Sequence, residues 1–159
     1  TVLGEGMPKE TAASIFIERG LEGKPITPYK HSMYRPMLYV DIRDVVKGFT
    51  IYVKKIFNGS IVKGDKANRV VNLFYPEPVT ILELAEMVRD AIAKYSDNKI
   101  VPNIEIVDLG LPNLYHQDSK LKIKVDMSKV RNLLEIRKLI SPRESIEYIV
   151  MKRIQHISL

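Results

Sequence analysis

The chain has 159 residues, 45% of them hydrophobic, which is enough for one domain with a real core and too few for two. It has no cysteine, which excludes a disulfide framework or a thiolate metal site and fits a reducing, cytoplasmic setting; its three histidines are far apart, so no metal is expected. The net charge of +6 is scattered among nineteen acids, and no apolar run reaches bilayer length, so neither nucleic acid nor a membrane is an expected partner.

The opening TVLGEG reads as the end of a strand running into a glycine turn, so the chain is expected to be a piece of a longer polypeptide. Pro8 suits the first turn of a helix whose apolar positions are Ala13, Phe16, Ile17 and Leu21, and Gly23 closes it as a left-handed cap. Pro25 and Pro28 keep Lys24 to Tyr29 extended, Lys30 to Tyr34 is a polar turn, and Met37 to Val40 reads as a short strand. Asp41 is then an N-cap for a helix with one apolar stripe: Ile42, Val45, Val46, Phe49, Val53 and Ile56.

Asn58 and Gly59 end that helix, a polar loop covers Gly59 to Asn68, and Arg69 to Phe74 is a strand candidate. Thr80 and Glu83 form a capping box, with Val79 and Leu84 as a hydrophobic staple, ahead of Ile81, Ala85, Val88, Ala91 and Ile92 at helical spacing. Strands are expected at Ile100 to Val107, where Pro102 marks an edge or break, and at Lys120 to Val125, which alternates. Gly110 to Ser119 is irregular. Asp126 caps a short helix carrying Val130, Leu133 and Leu134, and Ser141, Pro142 and Glu144 start a final one with Ile146, Ile149, Val150 and Ile154 inward.

This is a small α+β unit with no internal repeat. It contains no glycine-rich phosphate loop, no Ser-His-Asp set and no HExxH, so the residues themselves nominate no catalytic group. They do offer an anion clamp. Arg35 stands just before an apolar strand, with an aromatic, Tyr29, a few residues upstream.

The succession TVLGEG, GLEGKPITPY, YRPMLYVDIRDVVKGF, RVVNLFYPEPVTILELAEMV, VDMSKVRNLLEI and SPRESIEYIV resembles the C-terminal half of extended short-chain dehydrogenase/reductase proteins, the NAD-dependent nucleotide-sugar epimerases and dehydratases. The resemblance covers Gly4 to about Ile154 and lies in the order and spacing of six weak motifs. It implies a small mixed α/β substrate-binding domain of an extended Rossmann-type epimerase, residues 1–159, with the N-terminal dinucleotide-binding half absent. NAD and the catalytic Tyr-x-x-x-Lys pair would belong to that other half, so these residues alone are expected to be inactive. The implied function is the substrate-binding part of a UDP-sugar 4-epimerase. A UDP-sulfoquinovose synthase-like enzyme, a dTDP-glucose 4,6-dehydratase-like enzyme, and a non-catalytic nucleotide-binding or interaction module are the alternatives.

By the same resemblance, Arg35 grips the nucleotide diphosphate, although Pro36 follows it where the family usually has an acid; a surface ion pair is its competing role. Tyr29 matches the aromatic that lies against the nucleobase, or is an edge tyrosine packed on the first helix. Thr11 falls near a helix position that contacts the nucleotide in relatives. Asn72 matches a strand-ending asparagine, but Leu73, Phe74 and Tyr75 replace the glycines that normally follow, and a buried structural asparagine is the equal alternative. The family's second diphosphate arginine is missing, and His116 stands in its place, with Lys120 and Lys122 as alternative donors. The expected ligand is a nucleotide-sugar. Without the other half, apolar surface on the helices from Pro8 and Asp41 is expected to be exposed and to drive homo-oligomer formation.

Overall fold

The computed structural model describes residues 1–61 and 70–157; the loop expected at Gly59 to Asn68, from residue 62, and Arg69 lie outside that range. Three helices carry the main core: α1 (Ala12–Leu21), α3 (Ile81–Tyr95) and α5 (Pro142–Ile157). Each begins where a side chain satisfies the first free amides. Thr11 Oγ1 accepts from the Ser14 N–H at 3.3 Å, which starts α1 one turn later than Pro8 alone suggests. Thr80 and Glu83 bond reciprocally at 3.1 and 2.8 Å, and Ser141 and Glu144 do the same at 3.2 and 2.8 Å. Gly23 sits at φ +72°, with its N–H on the Gly20 carbonyl and that of Lys24 on Arg19, so α1 ends in a paired left-handed cap.

The apolar faces then meet. Phe16 and Ile17 of α1, Leu84, Val88 and Ile92 of α3, and Ile146, Ile149 and Val150 of α5 are buried in one cluster with Leu3 and Ile26. Gly20 permits the close approach of α1 to α3: a Cβ there would stand 2.5 Å from Ile92 Cδ1. A second cluster joins α2 (Ile42–Phe57) to α4 (Ser128–Leu134) through Val130, Leu134, Ile136 and Leu139, with Ile51 and Tyr52 of α2 packed on it. Asp41 Oδ1 caps α2 by accepting from the Arg43 N–H at 2.8 Å, and Asp126 Oδ1 accepts from the Ser128 N–H at the start of α4.

The strands are short. β1 (Val2–Leu3) pairs in parallel with β3 (Val40–Asp41), and β2 (Pro36–Met37) pairs antiparallel with β4 (Val79–Thr80). The single strand expected from Met37 to Val40 is therefore split between two sheets. The carbonyls at the crossing are taken elsewhere: Leu38 O by the Thr1 amino group at 3.0 Å and Tyr39 O by the Tyr75 N–H at 2.6 Å.

Four expectations need correction. Residues 70–74 form no strand; Val71, Leu73 and Phe74 instead pack irregularly on the second cluster. Ile100 to Val107 is an extended arm beside residues 26–30 with two isolated parallel bridges, because Pro25, Pro28 and Pro102 supply no N–H to complete a ladder. Lys120 to Val125 is no strand either. Gln117–Lys122 is a 3-10 helix, with Ser119 Oγ taking the His116 N–H and Lys120 bonded to Glu83, and Leu121 is 75% exposed, so the alternation faces no core. Finally, of the two helices expected to expose apolar surface, α2 does so, with Val46, Phe49 and Ile56 58, 70 and 48% exposed and Asp44 and Gly48 buried. The helix from Pro8 does not: in α1 Ala13, Phe16 and Ile17 are buried in the main core and Leu21 is half-buried, and among its large apolar side chains Ile15 alone is exposed.

Candidate functional site

The extended arm fixes Tyr29. Its backbone runs along Val107, where the Val107 N–H donates to Pro28 O and the Lys30 N–H donates to Val107 O, both at 2.9 Å. A 3-10 turn, Lys30–Ser32, follows, with the Ser32 N–H on Tyr29 O at 3.1 Å and the Arg35 N–H on Ser32 O at 2.9 Å. Two tight turns thus carry the chain from the ring to the guanidinium. The segment after Val107 is tied to this turn by Lys30, whose Nζ lies 2.8 Å from Asp108 Oδ2, and by the Leu114 N–H, which donates to His31 O at 2.8 Å. The lysine and the Gly110 N–H hold the Asp108 carboxyl below its ordinary range.

Tyr29 is half exposed, and its ring is stacked on that of His31, centroids 5.8 Å apart at 25°. Among the described residues the buried His31 Nδ1 has no hydrogen-bond partner. Arg35 is exposed, with no carboxylate partner among the described residues, and its charge acts on the phenol of Tyr39, which burial pushes up to about 12 against the pull of that charge. An exposed ring platform followed six residues later by an unneutralised guanidinium offers the two group types that a planar base joined to a phosphate calls for. His31 is the residue that motif matching does not nominate. Its signal is the Tyr-x-His spacing at the point where an extended arm enters a turn.

The other nominated residues fall differently. His116 is exposed and opens the 3-10 helix two residues after Leu114, so its segment is tied to the Tyr29 turn through His31. Lys120 is bonded to Glu83 and Lys122 pairs with Asp118 at 3.4 Å, so both alternative donors are already engaged. At Glu83, burial opposes ionisation, but the bonds from Lys120 and Thr80 hold the carboxyl below its ordinary range. The Thr11 hydroxyl serves its own helix, donating to Pro8 O at 2.9 Å as well as capping Ser14. Asn72 is exposed, on a segment whose neighbours Val71 and Leu73 face α2.

NAD does not fit the residues present. A dinucleotide pyrophosphate needs free amides at a glycine-rich helix start, whereas α1, α2, α3 and α5 each begin on their own side-chain cap. Two Tyr-x-x-x-Lys spacings occur, Tyr95 to Lys99 and Tyr148 to Lys152. The Tyr95 hydroxyl lies 3.4 Å from Glu147 Oε2, and the Tyr148 ring is covered by the Arg43 guanidinium at 4.4 Å, so both tyrosines have packing roles. Among the described residues no group of three His, Cys, Asp or Glu is placed to hold a metal, and no helix is long and apolar enough to cross a membrane.

In class, this is a mixed α/β unit built on a parallel strand pair and three capped helices, with a ring-and-guanidinium turn. No protein-family model matches the sequence, and no curated protein matches it. Solved structures do share the fold. UDP-glucuronic acid 4-epimerase from Bacillus cereus, in complex with NAD, superposes with a TM-score of 0.63 at 21% identity over 97% of this chain and 43% of its own. UDP-glucose 4-epimerase from Thermotoga maritima, with UDP-glucose, gives 0.62 at 19% identity, covering 99% and 44%. An epimerase from Methanothermobacter thermautotrophicus gives 0.61 at 16%, covering 99% and 42%. The chain has the fold of part of these epimerase chains and spans less than half of their length.

Proposed function

We propose that these residues form the substrate-holding part of an NAD-dependent nucleotide-sugar epimerase, with a UDP-sugar 4-epimerase as the leading assignment. The observation that supports it is the turn from Tyr29 to Arg35, which joins an exposed, His31-stacked ring to a guanidinium with no carboxylate partner among the described residues, in a chain with the fold of part of nucleotide-sugar epimerases. In this reading Arg35 donates parallel hydrogen bonds to the diphosphate and Tyr29, backed by His31, supports the base. The cofactor and the hydride chemistry belong to a dinucleotide-binding unit outside these residues, and the present unit orients the sugar.

Calorimetry tests the assignment. UDP and UDP-glucose are expected to bind, and Arg35→Ala is expected to weaken UDP by about 2 kcal/mol, roughly 30-fold, the order of a charge-assisted hydrogen bond. Unchanged affinity in that variant rules out the clamp. A preference for dTDP redirects the assignment to the dehydratase-like alternative. Measurable epimerisation by these 159 residues alone contradicts the division of labour.

A further inference from the structure

The chain reverses at Glu135, which stands in the left-handed region at φ +57° and ends α4. The residues that follow divide by chemistry. Ile136 and Leu139 turn into the second core cluster, while Arg137 and Lys138 between them stay exposed. The segment at Tyr75 and Pro76 is fixed by the Tyr75 N–H on Tyr39 O, and together with this loop it encloses a cavity of about 390 Å³.

The charges on this cavity are uncommitted. Arg131 of α4 lines it together with Arg137 and Lys138, and among the described residues none of the three side chains forms a hydrogen bond or an ion pair. By contrast, Lys30, Lys55, Lys94 and Lys120 each hold a carboxylate. Glu135, two residues before Arg137, is itself taken by Lys55 at 2.6 Å. The carboxylate that lines the cavity, Glu144, accepts from the Ser141 hydroxyl and N–H at 2.7 and 2.8 Å, bonds that hold it below the ordinary carboxylate range. Three cations against one carboxylate leave two positive charges over the cavity, the complement of a phosphate dianion rather than of a single carboxylate.

The remainder of the lining is apolar and aromatic. Met127, Ile136 and Leu139 form a buried floor, and Tyr75 supplies a half-buried ring as one wall. Burial and the nearby carboxylates of Glu77 and Glu144 push the Tyr75 phenol up, so it stays protonated and able to donate. The loop is also braced without a ligand, because the Ile140 N–H bonds to Asp44 Oδ2 at 2.7 Å, which ties it to α2.

We propose that this cavity binds a small organic phosphate with a flat apolar body. Arg131, Arg137 and Lys138 grip the phosphate, and the body lies against Tyr75 over Met127 and Leu139. No residue of the turn from Tyr29 to Arg35 lines this cavity, so the site stands independently of the nucleotide-sugar assignment.

The Met127 methyl reports on the cavity floor. In the full-length polypeptide, isotope-labelled at its methionine methyls, that resonance is assigned by its loss in Met127→Leu and titrated with phenyl phosphate, inorganic phosphate and benzoate. Phenyl phosphate is expected to shift it with an affinity about ten-fold or more above that of either other probe. Arg131→Gln and Arg137→Gln, both at exposed positions, are each expected to weaken phenyl phosphate about ten-fold and to leave the other methionine methyls in place. Tyr75→Leu is expected to bring phenyl phosphate down to the level of inorganic phosphate. A Met127 resonance unmoved by phenyl phosphate at about 20 mM, equal affinity for phenyl phosphate and inorganic phosphate, or parental affinity in both glutamine variants each overturns the site. Benzoate bound as tightly as phenyl phosphate overturns the assignment of phosphate as its ligand group.

Discussion

Asp41 and Asp44 are one helical turn apart, both nearly buried, and their carboxyls titrate in opposite directions. For Asp41, burial opposes ionisation, but Arg43 Nε and Nη2 at 2.8 and 2.7 Å and Ser145 Oγ at 2.7 Å outweigh it, and the pKa falls below its ordinary value. For Asp44, burial dominates over the Ile140 N–H at 2.7 Å, and the pKa rises. The linkage therefore has two signs. Stability from Asp41 is fully present above the ordinary carboxylate range and is lost as pH falls through its lowered pKa; that from Asp44 is present below the ordinary range and is lost as pH rises through its raised pKa. Asp41→Asn is expected to cost about 1–3 kcal/mol near neutral pH, by loss of its charge-assisted bonds, and to flatten the acid limb of the stability profile. Asp44→Asn, which keeps an acceptor for Ile140, is expected to be neutral or stabilising at the same pH. Urea titrations from pH 3 to 8 compare the two variants, and equal losses in both would contradict this assignment of roles.

At the scale of elements, local chemistry explains what the sequence reveals. The helix at Thr80 is legible because Thr80, Glu83, Val79 and Leu84 carry its start within six residues, and the structure shows both reciprocal bonds, with Val79 and Leu84 buried. Thr80→Ala is expected to cost about 1 kcal/mol in thermal or urea unfolding; a variant as stable as the parent would show that the box contributes nothing. The two-residue strands are legible in part: Val2–Leu3 and the Met37 to Val40 run read as strand, but the split of that run between two sheets follows from the arrival of Val79 and Val2, set by the tertiary fold. The Lys120 to Val125 alternation misleads for the same reason: a period of two indicates a strand only where a partner strand and a core face are supplied. Within the candidate site, Arg35 and Tyr29 are found through motif order, whereas the Tyr29 and His31 stack depends on the turn geometry.

The whole molecule has one closed side and one open side. Periodicity identifies an apolar face on both α1 and α2 but gives no direction; the family resemblance led to exposure being expected on both helices, and only the α2 stripe looks away from the core. In isolation that face is expected to drive self-association. Sedimentation at tens of micromolar, on the order of usual working concentrations, is expected to show a dimer or larger species. Salt is expected to promote it by screening Lys47 and Lys54. Phe49→Asp is expected to abolish association while changing the thermal midpoint little, because Phe49 is 70% exposed and contributes little to the core. A sharp monomer in the parent chain would contradict this.

The two carboxylates at the start of α2 also impose an order on synthesis. Ser145 lies 104 residues beyond Asp41, and Ile140 lies 96 beyond Asp44. A nascent chain translated as far as α4 therefore holds the start of α2 with two carboxyls still in water, and only emergence of the last helix allows them to be buried with partners. Any nascent chain stopped before residue 140 should leave this corner open to proteases, even with the capped helices α1 and α3 already made.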